Sequence, residues 1–151
     1  MSNVVLYCEK LPTEGMETLI SELCPKELDL RFLYPVKNGK KGDFEDADYI
    51  LASICKIGKP EMDRAKNLKL IHVPATGYNH VDIAYAKEKG IPVCNVPNYG
   101  GYSVSQFSIA LMLEACLHIG HHDKTVHDGK WQNGDEWCYW DYPLIELAGM
   151  T

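Results

Sequence analysis

LKLIHVPATGYNHVDIAYAKEKGIPVCNVPNYGGYS, residues 68–103, carries the pattern that decides the fold. A short β-branched run is followed by a loop of small and polar residues, a helical pattern, a glycine and a second β-branched run. Residues 70–73 read as a strand and residues 80–89 as a helix, ended by Gly90 where a left-handed C-terminal cap is required. Residues 91–96 read as the next strand. Strand, helix and strand in this order make a βαβ unit, which joins parallel strands through a right-handed crossover.

The same alternation runs back to the N-terminus. Residues 4–8 form the first candidate strand. After Pro12, Met16, Leu19, Ile20 and Leu23 fall at helical spacing, an arrangement that turns one stripe to a sheet and leaves Glu14, Glu17 and Glu22 for water. Residues 29–34 are the second strand. The stretch VKNGKKGDFEDAD, residues 36–48, is turn-rich and charged and cannot bury a continuous face. Residues 49–53 are the third strand, and residues 59–69 a short helix with Met62, Ala65 and Leu68 inward. Five strands alternating with helices place the chain in the α/β class, as a flavodoxin-like doubly wound parallel sheet. Ligands of such sheets bind beyond the carboxyl ends of the strands, here Glu9 and Lys10, residues 53–58, residues 74–79 and residues 97–101.

Residues 103–119, SVSQFSIALMLEACLHI, read as one helix whose apolar side chains point nearly all round. One sheet face cannot bury them all, so a second domain or a second subunit is expected to cover this helix. Its length and the included Glu114 and His118 argue against a bilayer span. Trp131, Trp137, Tyr139, Trp140 and Tyr142 form an aromatic arm expected to pack on another surface. The expected division is residues 1–101 as the flavodoxin-like domain and residues 102–151 as the long helix and arm.

Composition excludes some functions. With 46% apolar and 24% charged residues the chain is an ordinary globular protein, and its net charge of −6 offers no basic stripe for nucleic acid or anionic membrane. The N-terminus has no basic segment followed by an apolar run, so a cytoplasmic protein is expected. Six cysteines without a CxxC pair read as reduced thiols rather than disulfides or a metal site.

Two loops offer chemistry. In PATGYNHVD, residues 74–82, Gly77 lets the backbone approach a ligand, and the N–H groups of Gly77, Tyr78 and Asn79 near a helix start suit a carboxylate or phosphate. An equal reading is structural, with Asn79 capping the helix and Asp82 complementing its dipole. In NVPNYGGYS, residues 95–103, Gly100 and Gly101 permit a similar approach beside Tyr99, although a plain tight turn explains them as well. His118 and His122 have the i, i+4 spacing of a metal pair, but no third ligand is evident; with His121 and His127 they read as a solvated helix end. The acidic run Asp43, Glu45, Asp46 and Asp48 lacks the spacing of a calcium loop. The sequence contains no Ser-His-Asp order, GxSxG, Walker loop or GxGxxG, so it holds no complete catalytic device of its own.

Together these segments resemble the D-isomer-specific 2-hydroxyacid dehydrogenases, in particular the glycerate dehydrogenase and hydroxypyruvate reductase branch. TGYNHVD, residues 76–82, is similar to the family's TGxDxxD loop. IPVCNVPNYGGYSVSQ, residues 91–106, is similar to its V-x-N-x-P-x-Y segment followed by S-V-A-[EQ]. DGKW, residues 128–131, and LIELAGMT, residues 144–151, follow in family order. Asn79, Ser105 and Gln106 depart from the usual aspartate, alanine and glutamate.

The resemblance implies a substrate domain interrupted by an NAD-binding Rossmann domain, with the stretch resembling ELAGMT directly before the first Rossmann strand. It implies hydride transfer between NAD or NADP and C2 of a 2-keto or D-2-hydroxy acid. The family's catalytic arginine, glutamate and histidine lie farther downstream, so no residue here is assigned a catalytic role, and no metal site is expected. By resemblance, Gly77 and Tyr78 hold the substrate carboxylate through their N–H groups. Tyr99 and the loop Ser53, Ile54 and Cys55 shape the pocket, and Ser103 and Val104 approach the nicotinamide. The long helix and aromatic arm resemble the interdomain helix and dimer-forming arm, which implies a homodimer. The alternative is a stand-alone flavodoxin-like binding or regulatory module without catalysis, distinguished by a native stop codon after Thr151 rather than an open reading frame running on into a GxGxxG.

Overall fold

A computed structural model describes residues 3–10 and 15–150. The expected helix start after Pro12, the solvent position of Glu14, and Thr151 lie outside these residues. The chain divides into two compact units, residues 1–99 and 100–151.

The first unit is a parallel sheet of six strands: β1 (Asn3–Tyr7), β2 (Leu28–Phe32), β3 (Lys40–Lys41), β4 (Tyr49–Leu51), β5 (Leu70–Val73) and β6 (Val93–Asn95). Their order is β3-β2-β1-β4-β5-β6. Without β3 this is the flavodoxin-like order, with the reversal at β1 and β4. β3 corrects the reading of residues 36–48 as loop throughout: Lys40 and Lys41 pair with Arg31 and Phe32 at the sheet edge. A two-residue edge strand with both side chains exposed buries no face, so hydrophobic patterning carries no trace of it, and lysines are well suited to such an edge.

Leu6, Ile50 and Ile71 are fully buried and share one register row across β1, β4 and β5. Helices α2 (Lys59–Arg64) and α3 (Ile83–Glu88) cover that face with Met62, Ala65 and Ala86. Burying each large apolar side chain there contributes roughly 1.5–3 kcal/mol. α2 keeps the expected inward face, but is shorter than residues 59–69. Gly90 takes the left-handed cap after α3, with φ +71.

The opposite face is less complete. α1 (Met16–Leu23) borders a groove of about 490 Å³ lined by Val5, Leu30, Leu51 and Leu70. Leu23 stands exposed beside this groove, whereas Glu17, expected in water, is buried. No ion pair or hydrogen bond among the described residues accounts for the burial of Glu17. Parallel sheets ordinarily bury both faces, so this groove is an open flank of the fold.

The second unit holds α4 (Gly101–Leu117) and α5 (Ile119–His127), where a single helix over residues 103–119 was expected. His118 takes a left-handed conformation, φ +49, and its N–H bonds Glu114 O at 2.8 Å, closing α4. The Glu114 carboxylate then accepts the N–H of Gly120 in the first turn of α5. The apolar pattern runs through this break because the backbone turns at the left-handed His118 without a change of hydrophobic period. His121, His122 and His127 therefore lie on a second helix, not on the solvated end of the first.

The arm folds back on α5. Thr125 and Tyr139 share a hydrogen bond of 2.7 Å, His121 Nε2 meets Asp141 Oδ2 at 2.7 Å, and Lys130 pairs with the same aspartate. Yet Phe107, Ile109, Leu111, Trp131, Trp137 and Trp140 are exposed, and no residue of α4 is buried. Among the described residues no single helix is long and apolar enough to cross a membrane; α4 and α5 together reach the length but are bent by 63°.

Exposed side chains of this size, about 1.5–3 kcal/mol each if buried, favour association strongly. Light scattering on the purified chain at micromolar concentration is expected to show a dimer or larger species. A 17.0 kDa monomer with one cooperative unfolding transition would mean that these side chains find cover within one copy.

Candidate functional site

At the carboxyl end of β1 stands Glu9, buried at 7% exposure. Its Oε1 accepts three backbone N–H groups, from Ser53 at 2.6 Å, Ile54 at 2.8 Å and Cys55 at 3.0 Å. These are the residues that follow β4, so one side chain fixes the loop that leaves the neighbouring strand. Ile54 points outward at 81% exposure, while Ser53 and Cys55 are half-buried.

The next loop, residues 74–82 after β5, is fastened to both neighbours. His80 Nε2 lies 3.0 Å from Ala52 O, and the Ile57 N–H bonds His80 O at 2.9 Å. The Asp82 N–H returns to Ile57 O at 2.9 Å. On the other side Thr76 Oγ1 donates to Val96 O at 3.1 Å and Asn95 Nδ2 to Thr76 O at 2.9 Å. Between these ties the N–H groups of Gly77, Tyr78 and Asn79 donate to no protein acceptor among the described residues. A Cβ built at Gly77 would meet no atom within 4 Å, and the backbone there is not left-handed. Gly77 is therefore not required by the fold; its missing side chain leaves room on the solvent side of the loop.

Asp82, not Asn79, caps α3, its carboxylate accepting the Tyr85 N–H at 2.9 Å. α3 is also only six residues long and begins after Asp82, so its dipole adds little at Gly77. The expectation of a helix start beside the free N–H groups is corrected accordingly: an anion here would rest on loop amides alone.

Tyr99 is exposed at the end of the following loop, where Asn98, not a glycine, takes the left-handed conformation, φ +62. Asparagine tolerates that region, which relieves Gly100 and Gly101 of the turn role they were given. Ser103 and Val104 lie in the exposed first turn of α4, in the second unit.

The electrostatics disfavour a cysteine nucleophile. Burial raises the Cys55 thiol above its ordinary range, and the charges of Glu9 and Glu61 add to this. Cys8, whose thiol donates to Leu6 O, is raised chiefly by burial and then by the neighbouring Cys55 and Glu9. Both thiols stay protonated at neutral pH.

Residue types alone place Glu9 at a ligand-facing strand end without a role and leave His80 without one. Glu9 carried a faint signal, an acidic residue directly after an apolar strand on the ligand side of the sheet. His80 was counted within a helix that starts three residues later. His122 places Nδ1 3.0 Å from His118 O, so this ring engages the backbone of its i, i+4 partner.

Residues 5–130 match the family model described as D-isomer specific 2-hydroxyacid dehydrogenase, catalytic domain. The chain is 52% identical over 106 residues to a hydroxypyruvate reductase of Blautia hydrogenotrophica, an alignment covering 70% of this chain and 33% of that protein. The chain thus spans about a third of that relative's length. Among solved structures, the 2-hydroxyacid dehydrogenase from Ketogulonicigenium vulgare Y25 superimposes with a TM-score of 0.71 at 23% identity, covering 95% of this chain and 44% of that one. The NADPH-dependent glyoxylate/hydroxypyruvate reductase from Sinorhizobium meliloti, in complex with NADP and malonate, gives 0.66 at 22% identity, over 96% of this chain and 43% of that one. Likeness at this level of identity carries the fold alone.

Proposed function

The chain belongs to the D-isomer specific 2-hydroxyacid dehydrogenases, and we propose that it supplies the substrate-carboxylate site of an oxidoreductase moving hydride between NAD or NADP and C2 of a 2-keto or D-2-hydroxy acid. The observation that carries this reading is the pair of free N–H groups at Gly77 and Tyr78, on a loop tied to both neighbouring loops. Fixed, unsatisfied amides are the donors a carboxylate needs, and prior fixing spares the entropy of ordering them on binding. With the carboxylate there, the far end of the substrate lies toward Ser53, Ile54 and Cys55, and the exposed Tyr99 ring shapes the pocket from the next loop.

Hydroxypyruvate is the first substrate to test, given the name of the relative 52% identical over 106 residues, with glyoxylate beside it as the shorter 2-keto acid. When bound, the nicotinamide supplies or accepts the hydride. No GxGxxG for its pyrophosphate occurs in this sequence, so the contribution proposed for this chain is limited to Ser103 and Val104. Residues 1–101 serve as the substrate domain's N-terminal part, and residues 102–151 as the connecting helix and arm through which two copies pair. The setting proposed is cytoplasmic. A binding or regulatory module without catalysis has no observation in its favour.

Replacement of Gly77 by valine in the intact enzyme tests the reading. A rise in KM for the keto acid without a matching change in cofactor affinity supports it, and an unchanged KM counts against it.

A further inference from the structure

The ends of β4 and β5 each present a row of backbone N–H groups, but the two rows are not equivalent. At residues 53–55 all three donors are taken by one buried carboxylate oxygen of Glu9, while at residues 77–79 the donors are free. The loops that carry the two rows are adjacent and tied to each other, His80 Nε2 lying 3.0 Å from Ala52 O and the Ile57 N–H bonding His80 O at 2.9 Å. We infer that Glu9 is a specificity-determining residue: it fills the first row with the protein's own anion, leaves the second for the substrate's carboxylate, and so selects keto acids whose far end is uncharged. The inference rests on the carboxylate site proposed above.

The physical case has two parts. Three successive N–H groups converging on one point bind an anion well, so an empty row at 53–55 would compete for the substrate carboxylate or welcome a second one. Filled by Glu9, it offers no donor and sets a negative charge beneath the loop. A monocarboxylate such as hydroxypyruvate or glyoxylate meets this only with a hydroxymethyl group or a hydrogen. A dicarboxylate such as oxaloacetate would place its second carboxylate near Glu9 with no donor to receive it. Two like charges on the order of 10 Å apart, at the effective dielectric near a protein surface, repel enough to change affinity on the order of tenfold.

The exposed Ile54 side chain reinforces the selection, since it adds an apolar wall and no counter-charge at the same end. No lysine or arginine is hydrogen-bonded to Glu9 among the described residues, so the backbone alone balances its charge.

The test compares kcat/KM for hydroxypyruvate and for oxaloacetate in the intact enzyme and in two variants. Glu9→Gln retains an acceptor oxygen for the three N–H groups and removes the charge. The oxaloacetate to hydroxypyruvate ratio is expected to rise roughly tenfold, through KM, with cofactor affinity unchanged. Glu9→Ala vacates the row. Hydrogen exchange at Ser53, Ile54 and Cys55 should then quicken at least tenfold, by an amount Glu9→Gln does not show. A ratio within twofold of the parent in Glu9→Gln, or equal losses on both substrates, would overturn the role of Glu9 while leaving the carboxylate site standing. A parent enzyme without turnover of any 2-keto acid would overturn the carboxylate site, and the inference with it.

Discussion

The purified 151-residue chain is expected to turn over neither hydroxypyruvate nor glyoxylate with NADH or NADPH. Hydride transfer to a keto carbon requires a donor held at van der Waals distance and a proton delivered to the developing alkoxide. A positioned acid alone is worth about 10²- to 10⁴-fold, and holding the dinucleotide requires amides around its pyrophosphate. This sequence contains no GxGxxG. Its histidines at 118, 121 and 122 are engaged with Tyr142, Asp141 and the backbone of the second unit, and His80 with Ala52. The carboxylate site proposed for this chain would bind substrate and transition state alike, and so would lower KM without supplying chemistry. Consumption of reduced cofactor above a mock preparation would show that an acid and a dinucleotide site do exist within these residues.

Replacing Gly77 by valine in the intact enzyme is expected to raise KM for the keto acid roughly 100-fold while stability stays near that of the parent. The separation of the two effects follows from the surroundings of Gly77. A Cβ there meets no protein atom within 4 Å and the backbone is not left-handed, so the fold loses little by carrying a side chain. A ligand carboxylate on the Gly77 and Tyr78 amides would occupy that same space. Charge-assisted hydrogen bonds are worth about 1.5–3 kcal/mol each, so displacing the carboxylate from two of them accounts for a change of this size. Urea denaturation and steady-state kinetics on the same preparations separate the possibilities. A large loss of stability would place Gly77 among the structural glycines, and an unchanged KM would remove the carboxylate from this loop.

The sheet was legible in the sequence because its central strands are short apolar runs separated by turn residues, and the inward residues of α2 were legible from their spacing. The elements missed were those that bury no apolar face. β3 is two exposed lysines, and the break between α4 and α5 is a left-handed turn at His118, which hydrophobic periodicity cannot register. The apolar stripe of α1 was visible, but its burial depends on what fills the groove beside Leu30 and Leu70.

At the site, the glycine, the small residues and their place after a strand could be read directly. Which donors were already satisfied could not. Glu9 lies 44 to 46 residues from the amides it binds, and only the parallel pairing of β1 with β4 brings the two together. Similarly, the choice between Asn79 and Asp82 as the cap turned on where α3 begins, which residue types leave uncertain by a turn.

Backbone amide shifts of the chain titrated with oxamate, a non-reducible analogue of a 2-keto acid, test the carboxylate site most directly. The largest changes are expected at Gly77 and Tyr78, with Ser53, Ile54 and Cys55 little moved because their N–H groups remain on Glu9. Changes absent from Gly77 and Tyr78, or centred on Ile54 and Cys55, would contradict it.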